Sequence, residues 1–477
     1  MSARRGSAKL AGAPEETASV AALTHEGEGV VRGGKTAFIA GALPGETVRF
    51  RRVRQHRQHD DGALLEVLAA SADRVTPRCA HFGICGGCSL QHLSAGAQLL
   101  AKEAQLRDSF ERIGRVTPQK WLEPLRGPQW GYRRRARLGA KYVIKKGRVV
   151  VGFRERLAPY VAEVTRCEVL APPVDAMVAE LASMLTGLSI RDRLPQIEVS
   201  VADNAVALVL RVLAPPSPQD LERLREFARM HEVRFYLQPK GLDSVHPLDM
   251  GTAAEPQPLH YALPRFGLQL EFAPTDFLQV NAAVNEAMVA RAIELLELTP
   301  GSRVLDLFCG LGNFTLAIAR SAALVVGIEG DRALVDRARH NARINGIANA
   351  EFHVADLTHA PVSDSTAASP AVSRDDASRA AAPNAPRRSW MDADYTHILI
   401  DPPRAGAEAM LPVIAALEPQ SVVYISCHPG SLARDAGILV NELGFTLKAA
   451  GVLDMFPHTA HVESVAVLTP AANRRKS

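Results

Sequence analysis

The 477 residues, 47% hydrophobic and 22% charged, have the composition of an ordinary soluble globular protein and are too many for one core, so several domains are expected. No run of about 18 apolar residues is present to span a bilayer, and the opening MSARRGSAKLAGAPEE lacks the apolar stretch of a signal peptide, so a cytoplasmic chain is expected. The net charge of +4 conceals 29 Lys and Arg against 16 Asp and Glu over residues 1–170, with 26 against 35 thereafter, the pattern of a polyanion-binding module joined to a catalytic one.

Residues 1–17 read as a disordered tail. Over residues 18–73 short β-rich runs (GEGVVR, KTAFIAGAL, PGETVRFRRVRQ, ALLEVLAA) alternate with glycine turns, predicting a small OB-like β-barrel. Within Arg49-Phe50-Arg51-Arg52-Val53-Arg54-Gln55-His56-Arg57, alternation puts Phe50 near one face, while the arginines are too many to be buried unpaired. Such a basic strand reads as an RNA footprint; a solubilising edge strand is the alternative.

Next comes CAHFGICGGC, with Cys79, Cys85 and Cys88 in ten positions of a chain holding six cysteines. Cytoplasmic thiols stay reduced, so metal binding or catalysis is expected here rather than a disulfide framework. Ala95 to Ile113 has helical periodicity ending at Gly114. Tyr132-Arg133-Arg134-Arg135-Ala136-Arg137 and Lys145-Lys146-Gly147-Arg148 combine a tyrosine for base stacking with cations for phosphate pairing. From Arg148 to about Phe272, strands such as QIEVSVAD and AVALVLRVL mix with helices such as VDAMVAELASML. Residues 74–270 are therefore expected to form a central α+β domain, one without a legible catalytic signature.

From Phe277 onward apolar strands alternate with amphipathic helices, which predicts a C-terminal α/β domain over 271–477 with a doubly wound, largely parallel sheet. Residues 361–390, rich in Ala, Ser and Pro, interrupt it as an expected disordered insertion. Asp306-Leu307-Phe308-Cys309-Gly310-Leu311-Gly312-Asn313 follows a strand and opens a helix, and its glycines let backbone approach a ligand closely. Thr315 stands where the NAD fingerprint has its third glycine. The next two strands end in Glu329 and Asp356, and with an acid ahead of the glycines this suits the cationic S-adenosylmethionine better than a pyrophosphate. Helix capping by these acids is the plainer alternative.

Asp401-Pro402-Pro403-Arg404 ends the fourth strand, a turn also found in amino-group methyltransferases. Cys427 closes SVVYISC at a strand's carboxyl edge, where doubly wound sheets bind ligands, and reads as a nucleophile rather than an inert core thiol. Uracil C5 is a weak nucleophile until a thiolate adds at C6, and its proton must then leave to a base. Glu463, before the last strand, qualifies if a partly dry pocket raises its pKa.

DFLQVN, LDLFCGLGNF, IDPPRAG, YISCHPGSLARD and MFPHTAHVES, in this order and across the whole catalytic half, resemble the RNA uracil-C5 methyltransferases. That resemblance implies that Gln279, Phe308, Asn313, Glu329, Asp356 and Asp401 line an S-adenosylmethionine site, with Cys427 as nucleophile and Glu463 as general base. The front half resembles the bacterial branch acting on 23S ribosomal RNA, in which a TRAM-type barrel precedes an iron–sulfur module; a monomer is expected. Another ribosomal or transfer RNA uridine, an amino-group acceptor, or an RNA-binding protein with a non-catalytic methyltransferase fold are the alternatives. With Cys427 and Cys309 assigned, Cys167 in VTRCEVL is the remaining thiol and the candidate fourth metal ligand. Three clustered cysteines and one distant one suit a 4Fe–4S cluster, and the resemblance agrees; zinc on three cysteines plus His81 or His92 is the rival.

Overall fold

The computed structural model describes residues 8–10, 12–251, 257–359 and 390–471; the expected insertion at 361–390, apart from Trp390, lies outside them. Strands β1 (Ala8–Lys9), β2 (Glu15–Leu23), β3 (Glu28–Val31), β4 (Ala37–Ala40), β5 (Thr47–Gln55) and β6 (Asp60–Ala69) form one sheet. Its order is β1-β5-β2-β3-β4-β6, and a further β5–β6 pairing closes five strands into a barrel. Val20, Val31, Ile39, Val48 and Phe50 fill the interior. The ordered barrel starts ahead of residue 18. Glu15-Glu16-Thr17 has no apolar face, yet it extends β2 because it pairs in register with Arg51, Phe50 and Arg49.

That pairing also gives the arginines of β5 carboxylate partners. Arg51 meets Glu15 at 2.9 Å, Arg52 lies between Glu16 (2.7 Å) and Asp60 (2.9 Å), and Arg49 pairs with Glu66. Cross-strand carboxylates pair with these charges, although the side chains of Arg49 and Arg51 stay partly exposed at the surface.

Helix α1 (Ala95–Ser109) continues through a π-helical turn, Phe110–Gly114, and is followed by the short strand β7 (Lys120–Trp121). The central sheet holds β8 (Arg135–Val143), β9 (Arg148–Gly152), β10 (Gln196–Val201), β11 (Val206–Arg211), β12 (Val233–Gln238) and β13 (His246–Pro247), in the order β13-β12-β11-β10-β8-β9. Helices α2 (Val174–Thr186) and α3 (Pro218–His231) pack on it. A capping box of Ser217 and Asp220, with Pro218 in the first turn, starts α3 by satisfying otherwise orphaned N–H groups. A separate hairpin, β14 (Leu259–Leu263) and β15 (Leu268–Phe272), leads into the C-terminal domain.

That domain runs α4 (Ala282–Leu296), β16 (Arg303–Leu307), α5 (Thr315–Ile318), β17 (Leu324–Glu329), α6 (Arg332–Ile344), β18 (Ala350–Val354), β19 (His397–Ile400), α7 (Leu411–Ala416), β20 (Ser421–Ser426), α8 (Pro429–Asn441), β21 (Phe445–Leu453) and β22 (Glu463–Pro470). The sheet order is β18-β17-β16-β19-β20-β22-β21-β7. The first five strands are parallel, and β22 returns antiparallel beside β20. Helices on both faces explain why β16, β19 and β20 are almost continuously apolar.

The eighth strand is unexpected. β7 belongs in sequence to the central segment but pairs with β21, while the π-turn ahead of it packs on α8, where Asn441 donates to the Gly114 carbonyl at 3.1 Å. Glycine is required at 114 because a Cβ would collide with the Ala433 backbone oxygen. Residues 95–125 therefore complete the C-terminal domain, so the central domain is not continuous over 74–270. Among the described residues, no helix is long and apolar enough to cross a membrane.

Candidate active site

The carboxyl ends of β16, β17, β19 and β20 build the site. Leaving β16, the chain turns sharply through Phe308 (φ 65°), Gly310 (φ 55°) and Gly312 (φ 97°); a left-handed phenylalanine is uncommon and is held here by the surrounding loop. Cys309 N donates to Ile328 O, and its thiol is buried and pushed up by desolvation. Glu329 at the end of β17 accepts from Gly310 N at 3.1 Å and from Asp331 N at 3.0 Å, so it braces the glycine loop while staying half-buried. Asn313 accepts from Tyr261 Oη (2.9 Å) and from Asn285 Nδ2 (3.0 Å), and its own Nδ2 donates to Asn285 Oδ1 (2.9 Å). Tyr261 and Asn285 escaped the sequence reading; a polar residue on the buried face of α4 was the available signal for Asn285.

Asp306 is fully buried in the middle of the sheet. One carboxyl oxygen accepts from the Thr315 hydroxyl, and the other has no partner. Burial pushes its pKa to about 7, and the Asp401 and Glu329 charges act in the same direction. Asp401, following β19, is likewise pushed to about 7 by burial. Gln279 and Phe308 are both half-buried, and Phe308 packs against the sheet's core. Asp356 differs from the rest. It is exposed, its carboxylate is taken by Thr358 and His359, and those bonds lower its pKa to about 2. These bonds hold it in a local turn and not at a helix start.

Cys427 and Glu463 meet through strand register. β20 and β22 are antiparallel with Ser426 opposite Ser464, so the next step places Cys427 opposite Glu463. Facing residues on such strands lie within side-chain reach. The Ser464 hydroxyl donates to Ser426 O at 3.1 Å and pins the crossing. Cys427 is half-buried, and desolvation, then the Glu463 carboxyl, push its thiol to about 11, opposed by Arg404. Glu463 is buried and lies well above the usual carboxyl range, through desolvation and then Asp401, again opposed by Arg404. Asp401 thus interacts with both the glycine-loop acid and the thiol–carboxyl pair. Arg404, also within 3.0 Å of His461 Nδ1, is the site's nearby cation.

Cys79, Cys85, Cys88 and Cys167 line one small cavity together with His81, Phe82 and Phe153. Burial, and then the neighbouring thiols, push Cys85 to about 11; burial likewise takes Cys88 to about 12. Such thiols ionise readily only with a cation among them. Among the described residues, no three of these sulfurs lie within 4.8 Å of one another. Tetrahedral zinc, with Zn–S near 2.3 Å, requires sulfurs about 3.8 Å apart. His81 is already bonded to Thr165, and His92 does not line the cavity. The four thiols on one cavity form a donor set able to hold a metal centre.

Three of the four arginines after Tyr132 are paired as well, while Arg133 donates to the Arg135 carbonyl. Arg134 meets Asp203, Arg135 and Arg137 share Glu198, and Tyr132 is buried with its hydroxyl donating to Pro457 O at 2.9 Å. Tyr132 is therefore a packing residue and not a stacking platform for a base.

Residues 267–471 match the family model described as tRNA (Uracil-5-)-methyltransferase. A protein of Xanthomonas campestris pv. campestris named 23S rRNA (uracil(1939)-C(5))-methyltransferase RlmD is 46% identical over 95% of this chain and 97% of its own length. A protein of the same name from Methylococcus capsulatus is 46% identical over 97% and 99% respectively. Among solved structures, a Pyrococcus abyssi tRNA (uracil-54, C5)-methyltransferase bound to S-adenosyl-L-homocysteine superposes with a TM-score of 0.68 at 22% identity, covering 95% of this chain and all of that one. At that identity the likeness speaks for the fold alone.

Proposed function

The chain belongs to the family of RNA uracil-C5 methyltransferases, and from that premise we propose that it methylates C5 of uridine 1939 in 23S ribosomal RNA. The observation that carries this reading is identity of 46% to 47% along nearly the whole chain. A thiol and a buried carboxyl facing each other on adjacent strands agree with it. Ribosomal RNA as substrate fits a cytoplasmic enzyme, and a monomer is proposed with it.

S-adenosylmethionine, when bound, supplies an electrophilic methyl group on a sulfonium centre. Gln279, Phe308, Asn313, Glu329 and Asp401 are the residues assigned to hold it; Asp356 is assigned with them and must give up its bonds to Thr358 and His359 to take part. Cys427 adds as thiolate to C6 of the uracil, and the electron pair of the C5–C6 double bond moves to C5 and the carbonyl, so that C5 takes the methyl group. Glu463, entering as carboxylate, removes the C5 proton; the double bond reforms and the thiolate leaves. The target base must be unstacked to reach Cys427. The four cysteines Cys79, Cys85, Cys88 and Cys167 would hold a 4Fe–4S cluster, which supplies a cationic anchor for thiolates that burial otherwise keeps protonated.

RNA carrying 5-fluorouridine tests the chemistry, because fluorine does not leave as a proton does. A stalled covalent adduct is expected with the wild-type protein and none with Cys427→Ala. Equal adduct formation by that variant would refute the nucleophile.

A further inference from the structure

Glu463 is reached from β21 by the segment 454–462, and many of the contacts that hold residues 456–460 come from the front of the chain. His458 O accepts from both Ser89 N (3.0 Å) and Leu90 N (2.9 Å), the two residues directly after Cys88. The Ser89 hydroxyl accepts from Ala460 N at 3.0 Å. Gln98 on α1 accepts from His458 N at 2.9 Å through Oε1, while its Nε2 donates to Leu90 O (3.0 Å) and Leu93 O (2.8 Å). One buried amide therefore ties the cysteine-bearing turn, α1 and the loop ahead of Glu463 into one unit. Below it, Tyr132 Oη donates to Pro457 O, and Lys102 Nζ reaches Phe456 O at 2.9 Å. Trp130 stacks on the His458 ring at 3.8 Å. His458 takes a left-handed backbone at φ 65°, a conformation a non-glycine residue keeps only where its surroundings impose it.

The nucleophile has no such dependence. Cys427 follows directly from a central strand of the sheet, and its neighbour Ser426 is paired within the ladder. Both groups belong to the C-terminal sheet, Cys427 directly after β20 and Glu463 at the start of β22 opposite Leu453, but only Glu463 is also approached through a segment that the cysteine module grips.

We propose that Ser89 and Gln98 are positioning residues for Glu463, so that the turn after Cys88 sets the step that removes the C5 proton and not the step that forms the thiol adduct. This inference rests on the assignment of Glu463 as base and adds the elements that aim it. A base displaced by about 1 Å loses up to a hundredfold in rate, while the bonds of Ser89 and Gln98 to this loop fall on His458 and Ala460 and not on His461, the loop residue that meets Arg404 beside the thiol.

The test uses the full chain with ordinary and 5-fluorouridine RNA, in Ser89→Ala, Gln98→Ala, Ser89→Thr and Glu463→Gln, with circular dichroism to confirm folding. Both alanine variants are expected to form the fluorinated adduct at the wild-type rate. On ordinary RNA they should accumulate covalent protein–RNA adduct and release product at least about tenfold more slowly, as Glu463→Gln does, with Ser89→Thr restoring release. Should Gln98→Ala not fold, Ser89→Ala decides. If formation and release slow by the same factor, or neither changes while Glu463→Gln stalls, the positioning role is overturned. Normal turnover by Glu463→Gln would remove the base assignment itself, and the proposal with it.

Discussion

Asp306→Asn isolates the cost of a carboxylate in the middle of the parallel sheet. The residue is fully buried, and its pKa rises from 3.8 to about 7. In the unfolded chain it ionises near 3.8, so the unfolded state sheds a proton that the folded state retains until pH 7. The folded state binds more protons over that window, and stability must fall as pH rises through it. Asparagine keeps an acceptor for Thr315 and does not ionise. Relative to wild type, its advantage should grow by about 1.4 kcal/mol per pH unit, from roughly 1.6 kcal/mol at pH 5 to a ceiling of about 4 kcal/mol above pH 7. For a domain of about 200 residues each kcal/mol moves the melting temperature by about 2 to 4 °C. Thermal unfolding of the ligand-free proteins should therefore show a gap of about 3 to 6 °C at pH 5 that widens to about 8 °C or more at pH 8. A gap that is constant with pH, or closes as pH rises, would refute the buried-charge reasoning.

Lys102, 2% exposed, donates to Asp454 at 2.6 Å, and Lys102→Met should destabilise by roughly 3 to 5 kcal/mol in denaturant titrations by leaving Asp454 unpaired. Adding Asp454→Leu should recover most of that loss; an additive or larger loss would show that packing rather than charge pairing is at stake. Because the Cys427 thiol is pushed up to about 11, its thiolate fraction rises tenfold per pH unit below that value. Adduct formation with fluorinated RNA should accordingly accelerate by up to about a hundredfold between roughly pH 5.5 and 7.5, and a flat profile would mean that the thiol reacts already ionised. Anaerobically purified protein should carry four iron and four sulfide per chain by the cluster's stoichiometry. Cys167→Ser should lose its visible absorbance; colourless wild-type protein with one zinc would exclude the cluster.

Much of the catalytic half was legible because its chemistry is local. Glycines sit where the chain turns after β16, acids sit at strand ends, and Cys427 lies one residue beyond an apolar strand, each placed by periodicity alone. Side-chain engagement was less legible. Asp356 ends a strand where a cofactor-lining acid was expected, yet the nearby Thr358 and His359 occupy its carboxylate, and a sequence pattern does not rank competing hydrogen bonds. The arginines of β5 and those of residues 133–137 looked like one polyanion surface. Their carboxylate partners stand on neighbouring strands, among them Glu15, Glu66 and Glu198, and strand register decides which charges meet.

By itself the sequence determined the alternating fold of the C-terminal domain and the clustering of Cys79, Cys85 and Cys88, since each rests on residue type and short spacing; the roles of Cys427, Glu463 and the distant Cys167 leaned on the family resemblance. Only the tertiary structure decided that β7 extends the catalytic sheet, that residues 95–125 belong with it, and that Ser89 and Gln98 grip the segment leading to Glu463. Those contacts join residues more than 300 positions apart. Their energy is released only when both surfaces are already folded, so nothing in the local pattern of either segment announces the other.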